Sequence, residues 1–223
     1  VAIGANEQTG SDGSEHGFTR IYKWNSGTSS WDQLGADIDG ASNYDYAGSS
    51  VALSEDGETI AIGSKGSDSP GNDAGHISIY NWNGSSWSQI GTNITGENAG
   101  DSSGATETIA ISNDGTIVAI GAKNNDGTGD NAGHTRVYKW DSSSWNQLGS
   151  DIDGEAAGDK SGSVSLSANG EILAIGAWKN DGGGSNSGHV RIYRLVSGSW
   201  IKTGDDIDGL GTDDWAGFTV SLS

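Results

Sequence analysis

The chain contains no cysteine, which excludes disulfides, thiolate metal sites and a catalytic thiol. Methionine is also absent, and Pro70 is the one proline in 223 residues. Basic residues are scarce: 11 Lys and Arg stand against 30 Asp and Glu, a formal net charge of −19. Nucleic acid and anionic bilayers are therefore excluded as partners, because both are held by clustered Lys and Arg. No apolar run approaches the ~20 residues of a membrane-spanning helix, so membrane insertion is not expected.

What the chain has is repetition. An apolar-Ala-Ile-Gly phrase begins at Val1, Ile60, Val118 and Leu173. Each copy carries a Tyr (Tyr22, Tyr80, Tyr138, Tyr193) and a later Trp (Trp31, Trp87, Trp145, Trp200). A period of roughly 55 to 60 residues marks one supersecondary unit repeated, each copy burying its faces against its neighbours. Within a copy, Asp-Gly or Asn-Gly joins two short apolar strands, at Asp56-Gly57, Asp114-Gly115 and Asn169-Gly170, and this pair suits a tight hairpin. A polar loop leads to a third strand, His76 to Asn83 in the second copy, and Asn83-Gly84 turns into a fourth.

The third strand is apolar or aromatic on both faces. His76-Ser78-Tyr80-Trp82 lie on one side and Ile77 and Ile79 on the other, so the sheet is expected to be covered on both sides. Four antiparallel strands per repeat, packed between neighbouring sheets, make an all-β propeller. Residues 1–223 read as one such domain, either a closed four-bladed ring or a four-blade portion of a larger ring. Residues 215–223 match the first strand of a repeat while Val1 starts a second strand, so this tail is expected to complete the first blade and remove an exposed edge. The absence of methionine and the start within a repeat suggest a piece of a longer polypeptide.

Asp45-Tyr46-Ala47-Gly48, Asp101-Ser102-Ser103-Gly104, Asp159-Lys160-Ser161-Gly162 and Asp214-Trp215-Ala216-Gly217 each precede an apolar strand, an Asp/Asn-Gly turn and an Ile-Gly-Ala-type element. This pattern resembles the FG-GAP repeat of integrin α-subunit-type β-propellers across all four copies. Ala47, Ser103, Ser161 and Ala216 replace the Phe of the motif, and Asn6, Lys65, Lys123 and Trp178 replace its Pro. The family's calcium loop in the hairpin is reduced to a single carboxylate, too few oxygens for a cage of six to eight, so that metal site is not carried over. The resemblance implies a non-catalytic extracellular or cell-surface module for adhesion or scaffolding, part of a longer protein. Its partners would be a protein or glycan at a surface, or other copies of itself.

Several residues lie outside the repeat consensus. Tyr44, Tyr46, Trp178 and Trp215 are aromatics on polar loops, suited to stacking on a sugar or anchoring a protein, which gives the alternative of a carbohydrate-binding, lectin-like propeller. Asp126 and Asp130 flank two glycines, and Asp181 holds the matching place in the next copy, making calcium the candidate ion of these loops. Asp12-Gly13 and Asp68 to Asp73 have a similar composition, which also fits ordinary turns. Asp-Ile-Asp-Gly at residues 37–40, 151–154 and 206–209 reads as a turn. Asn83 and Asn93 fit the N-glycosylation acceptor pattern, used only on a eukaryotic secretory route. His76, His134 and His189 recur at one position, which favours packing over catalysis. No nucleophile, base and orienting group are fixed together by the sequence, so an enzyme is not expected, and a glycan-cleaving one would need two carboxylates across a pocket.

Overall fold

A computed structural model describes residues 1–9 and 13–222 of the chain. It is an all-β propeller of four antiparallel sheets. The first blade holds β1 (Ala2–Ala5), β2 (Phe18–Asn25), β3 (Ser30–Gln33) and β4 (Ile38–Asp39). The second holds β5 (Ala47–Leu53), β6 (Thr59–Ser64), β7 (His76–Trp82), β8 (Trp87–Gln89) and β9 (Ile94–Thr95). The third runs through β10 (Ile109–Ile111), β11 (Ile117–Ala122), β12 (His134–Trp140), β13 (Trp145–Gln147) and β14 (Ile152–Asp153). The fourth comprises β15 (Ser161–Leu166), β16 (Ile172–Ala177), β17 (His189–Val196), β18 (Ser199–Lys202) and β19 (Ile207–Asp208).

The hairpins form where Asp-Gly and Asn-Gly were read. In each, a serine hydroxyl donates to the turn side chain and also accepts a strand amide. Ser112 Oγ donates to Asp114 Oδ1 at 2.6 Å, and Ile117 N donates to Ser112 Oγ at 3.0 Å. Ser54 with Asp56, and Ser167 with Asn169, repeat the arrangement. The Asp-Ile-Asp-Gly segments differ from expectation. Their central Ile-Asp pairs are the short strands β4, β14 and β19, with Ile94-Thr95 as β9, each laddered to the start of the blade's long third strand. The isoleucine explains this, since Ile38, Ile94 and Ile152 drop into the interface with the next blade and are buried.

Sheets pack in chain order. Ile21, Ile38, Ile60 and Ile62 fill the space between the first and second. Ile77, Ile79, Ile94, Ile109 and Ile120 fill the next, and Val137, Ile152, Val164, Leu173 and Ile175 the third. Fully burying each such side chain contributes roughly 1.5–3 kcal/mol. Along the outer strands a tryptophan ties each blade to the one before it. Trp87 Nε1 donates to Leu34 O at 2.8 Å, Trp145 to Ile90 O at 3.1 Å and Trp200 to Leu148 O at 2.9 Å. Tyr193 is buried at its recurring position, while Tyr22, Tyr80 and Tyr138 are half-buried.

The tail departs from the expected closure. Residues 215–222 do not pair with β1; they lie on the fourth blade, where Ser163 Oγ donates to Phe218 O and Leu222 N donates to Ser165 Oγ. Val1 and Ile3 at one end and Ile207 and Leu210 at the other are exposed. The four blades thus form an open arc, because the packed order leaves the first and last sheets apart. Asp12 and Ser223 lie outside the described residues.

Candidate functional site

The loops that end the second strands and those that lead into the next blade meet on one face, at the start of each long third strand. There the repeats place a buried histidine (His76, His134, His189), with an Arg two residues on in two of these three copies. Between the second and third blades, Arg136 Nη2 donates to Thr95 O at 2.8 Å and its Nη1 lies 3.5 Å from Glu97. Between the third and fourth, Arg191 Nη2 donates to Asp153 O at 2.8 Å and pairs with Glu155 at 3.5 Å. Asn125 and Asn180, both buried, donate to Asp101 and Asp159 at 3.1 and 2.9 Å. These two interfaces are filled by their own side chains.

The interface of the first and second blades is built from the same positions with smaller or neutral residues. Ser78 stands for the arginine, Ala41 for the glutamate, Asn93 for the aspartate immediately before the short strand, and Ser67 for the buried asparagine. The volume so released is a two-part cleft. An outer cavity of about 460 Å³ is lined by Ser42, Asn43, Asp45, Ser67 and Asp68. An inner one of about 80 Å³ is lined by Asp39, Ser78, Tyr80 and Gln89. Ala41, His76 and Asn93 border both parts.

The cleft's chemistry follows from those replacements. Burial holds the His76 imidazole below the ordinary histidine pKa, with Asp45 opposing the shift only in part, so the ring is unprotonated at neutral pH. Asp45 is buried and accepts from Ser42 N at 2.8 Å; no asparagine caps it as one caps Asp101 and Asp159. Asn93 Oδ1 accepts from Ser78 Oγ at 3.0 Å and Gln89 Nε2 at 2.6 Å, which leaves its NH₂ group to face the cleft. A neutral base, a carboxylate and several amide and hydroxyl groups therefore converge on one space. No Lys or Arg lines either part.

The residues singled out from the sequence fall in different places. Tyr44 is exposed between the cleft-lining Asn43 and Asp45, and its ring centroid is 6.5 Å from that of Tyr46. Trp178 and Trp215 meet edge to face at 5.4 Å with Phe218 beside them, at the open end of the fourth blade and away from the cleft. Asp126 and Asp181 clasp their own loops, accepting from Asn131 N at 2.6 Å and Asn186 N at 2.7 Å. Asp130 is exposed in the same loop as Asp126, and Asp181 belongs to the next blade, so the three carboxylates do not form one group.

Among the described residues, the side chains that approach one another as metal ligands do are instead Glu97, His134 and Asp151, and Glu155, His189 and Asp206. In each group an adjacent arginine already supplies the positive charge, which makes them ties between blades. Asn83 caps the outer hairpin through Ser85 N and Ser86 N, and Asn93 borders the cleft. The cleft itself was missed although its signal was present: Ser78 and Asn93 break the pattern of their repeats.

No family model and no curated protein matches the sequence. Solved propellers do match in fold. A candidate 6-phosphogluconolactonase from Bacteroides uniformis has a TM-score of 0.59 at 12% identity, over 93% of this chain and 55% of its own. A second, from Bacteroides fragilis, has 0.56 at 11%, over 94% and 57%. The periplasmic gluconolactonase of Pseudomonas aeruginosa has 0.53 at 15%, over 91% and 55%. The chain spans about half the length of these proteins, and identities this low show the fold alone. They nonetheless correct the functional expectation. The similar propellers are named for work on sugar lactones, so the non-catalytic adhesion module and the expectation of no enzyme are not retained. No helix among the described residues is long and apolar enough to cross a membrane, and one of the similar propellers is named as periplasmic.

Proposed function

We propose that this propeller binds a polyhydroxylated, sugar-derived cyclic ester in the cleft between its first and second blades and opens it by hydrolysis. One observation carries the reading: the arginine position of this interface is a serine that lines the inner part of the cleft, and the unprotonated His76, shared by both parts, meets the buried Asp45 carboxylate in the outer part. Asn43, Ser67, Ser78 and Asn93 offer hydrogen bonds to hydroxyls, and the exposed Tyr44 ring at the rim suits the apolar face of a sugar.

In this mechanism His76 takes a proton from water as the water oxygen bonds to the acyl carbon. The ring C–O bond then breaks, and the imidazolium returns the proton to the leaving alkoxide. The acid product carries one proton more than pure carboxylate and releases it to solvent. Because carboxylates and no Lys or Arg line the cleft, the uncharged lactone is preferred to its phosphorylated form. We further propose a location outside the cytoplasm, supported by the periplasmic gluconolactonase among the similar propellers.

Two variants test this. His76→Gln should reduce the enzymatic part of acid release from δ-gluconolactone, followed by pH-stat, by about two orders of magnitude or more. Ser78→Arg restores the guanidinium of the other interfaces and should abolish binding without lowering the melting temperature. Wild-type protein with no turnover above the spontaneous rate would end the hydrolytic reading, and unaltered activity in both variants would end the assignment of the cleft.

A further inference from the structure

The sealed interfaces show what the hollow one is shaped to receive. In each, a buried arginine, Arg136 or Arg191, lays its guanidinium across the junction of two blades. Both heads are held alike. Nη2 donates at 2.8 Å to the carbonyl of the last residue in the preceding blade's short strand, Thr95 O or Asp153 O. Nη1 lies 3.5 Å from a glutamate of that same blade, Glu97 or Glu155. The guanidinium carbon stands 5.8 Å from the ring centroid of the tyrosine two residues on, Tyr138 or Tyr193, within cation–π range.

Between the first and second blades this receptor persists without its head. Asp39, the last residue of β4, matches Thr95 and Asp153, and Tyr80 matches the two tyrosines. Both line the inner cavity of about 80 Å³ with Ser78, which holds the arginine's place. Ser78 does not act for the arginine, because its hydroxyl donates at 3.0 Å to Asn93 of its own blade. The Asp39 carbonyl can accept a ligand N–H whatever else it holds, since such an oxygen has two lone pairs. Of the groups that hold the other two heads, the glutamate is replaced, by Ala41.

Charge points the same way. Asp39, Asp45 and Asp68 line the cleft, and no Lys or Arg does. Asp45 is 5% exposed and lacks the asparagine that caps its counterparts, so a cation beside it offsets the cost of burying its charge. The inner cavity is roomy enough for several waters or for a planar head of one carbon and three nitrogens. It opens past His76 into the outer cavity, where Asp45 and Asp68 favour a second positive group and repel a carboxylate.

We propose that the inner cavity binds the guanidinium head of a small alkylguanidine, in the place that Arg136 and Arg191 fill at the other interfaces, with a stem that ends in an amine. The head donates to Asp39 O and lies over the Tyr80 ring, while the amine meets Asp45 and Asp68 in the outer cavity. Such a ligand fills the space assigned to the lactone and competes with it. Its binding needs no turnover, so it stands or falls separately from the hydrolytic reading.

Isothermal titration calorimetry on the whole chain tests this with n-butylguanidinium, its uncharged analogue n-butylurea, and 4-aminobutylguanidine. The butylguanidinium should bind with a Kd of about 1 mM or below, and the urea roughly tenfold more weakly or worse. The aminobutyl compound should bind roughly tenfold more tightly than butylguanidinium, and free arginine, which carries a carboxylate, more weakly than the aminobutyl compound. Ser78→Arg fills the cavity from within and should remove binding. Ala41→Glu restores the missing carboxylate at an exposed position and should tighten binding by roughly threefold or more, a gain that misfolding cannot produce. No heat from butylguanidinium up to about 10 mM, equal affinity for the urea, or affinity unchanged in both variants would overturn the inference.

Discussion

Single residues decide where this repeat is sealed and where it opens. The same histidine occurs three times, but His134 sits 3.7 Å from Glu97 and 3.9 Å from Asp151, and His189 3.8 Å from Asp206, while His76 faces an asparagine and an alanine. All three have pKa values lowered, first by burial; Arg136 and Arg191 add to the effect at His134 and His189, and nearby carboxylates oppose it. The sign for stability follows. Between the lowered folded values and the unfolded value of about 6.5, the unfolded chain binds more protons, so stability is present above that value and falls as pH drops below it. Thermal melts from about pH 7.5 to pH 5 should show a declining midpoint, with a shallower decline in His134→Gln. A midpoint flat across that window would show that the histidines do not carry the effect.

At the scale of strands and turns, the hairpins were legible because Asp-Gly and Asn-Gly sit between alternating apolar residues, and the hydrogen-bonded Ser-x-Asp/Asn-Gly turns are the physical reason. Burial alone would raise the Asp114 pKa, but the bonds it accepts from Ser112 and Thr116 lower it overall. Asp114→Ala removes these bonds and should destabilise the fold by roughly 0.5–1 kcal/mol, since the carboxylate is exposed and screened by solvent, measured by urea denaturation, with or without a chelator. A chelator-dependent loss would instead place a cation in the turn. The short strands β4, β9, β14 and β19 were not legible, since two residues show no alternation and their ladder partner lies some twenty residues earlier in the chain. The cleft was legible only in outline. Ser78 was visible on the strand face, but that its loss of a guanidinium coincides in space with Ala41, Ser67 and Asn93 depends on how two blades meet.

For the whole molecule, four nearly equivalent sheets produce an exception at one interface, which is hollow. The repeat makes it readable, because every position has counterparts that show what normally fills it. The functional claim rests on the hollow interface, and hydrogen exchange reads it without relying on turnover. Exchange should be measured with and without a saturating aldonolactam, the amide analogue of the lactone that resists hydrolysis. Slowed exchange confined to residues 41–45, 66–69, 76–78 and 93–95 is the predicted result. Unchanged exchange in those segments, or protection centred on the fourth blade around Trp178 and Trp215, would contradict it.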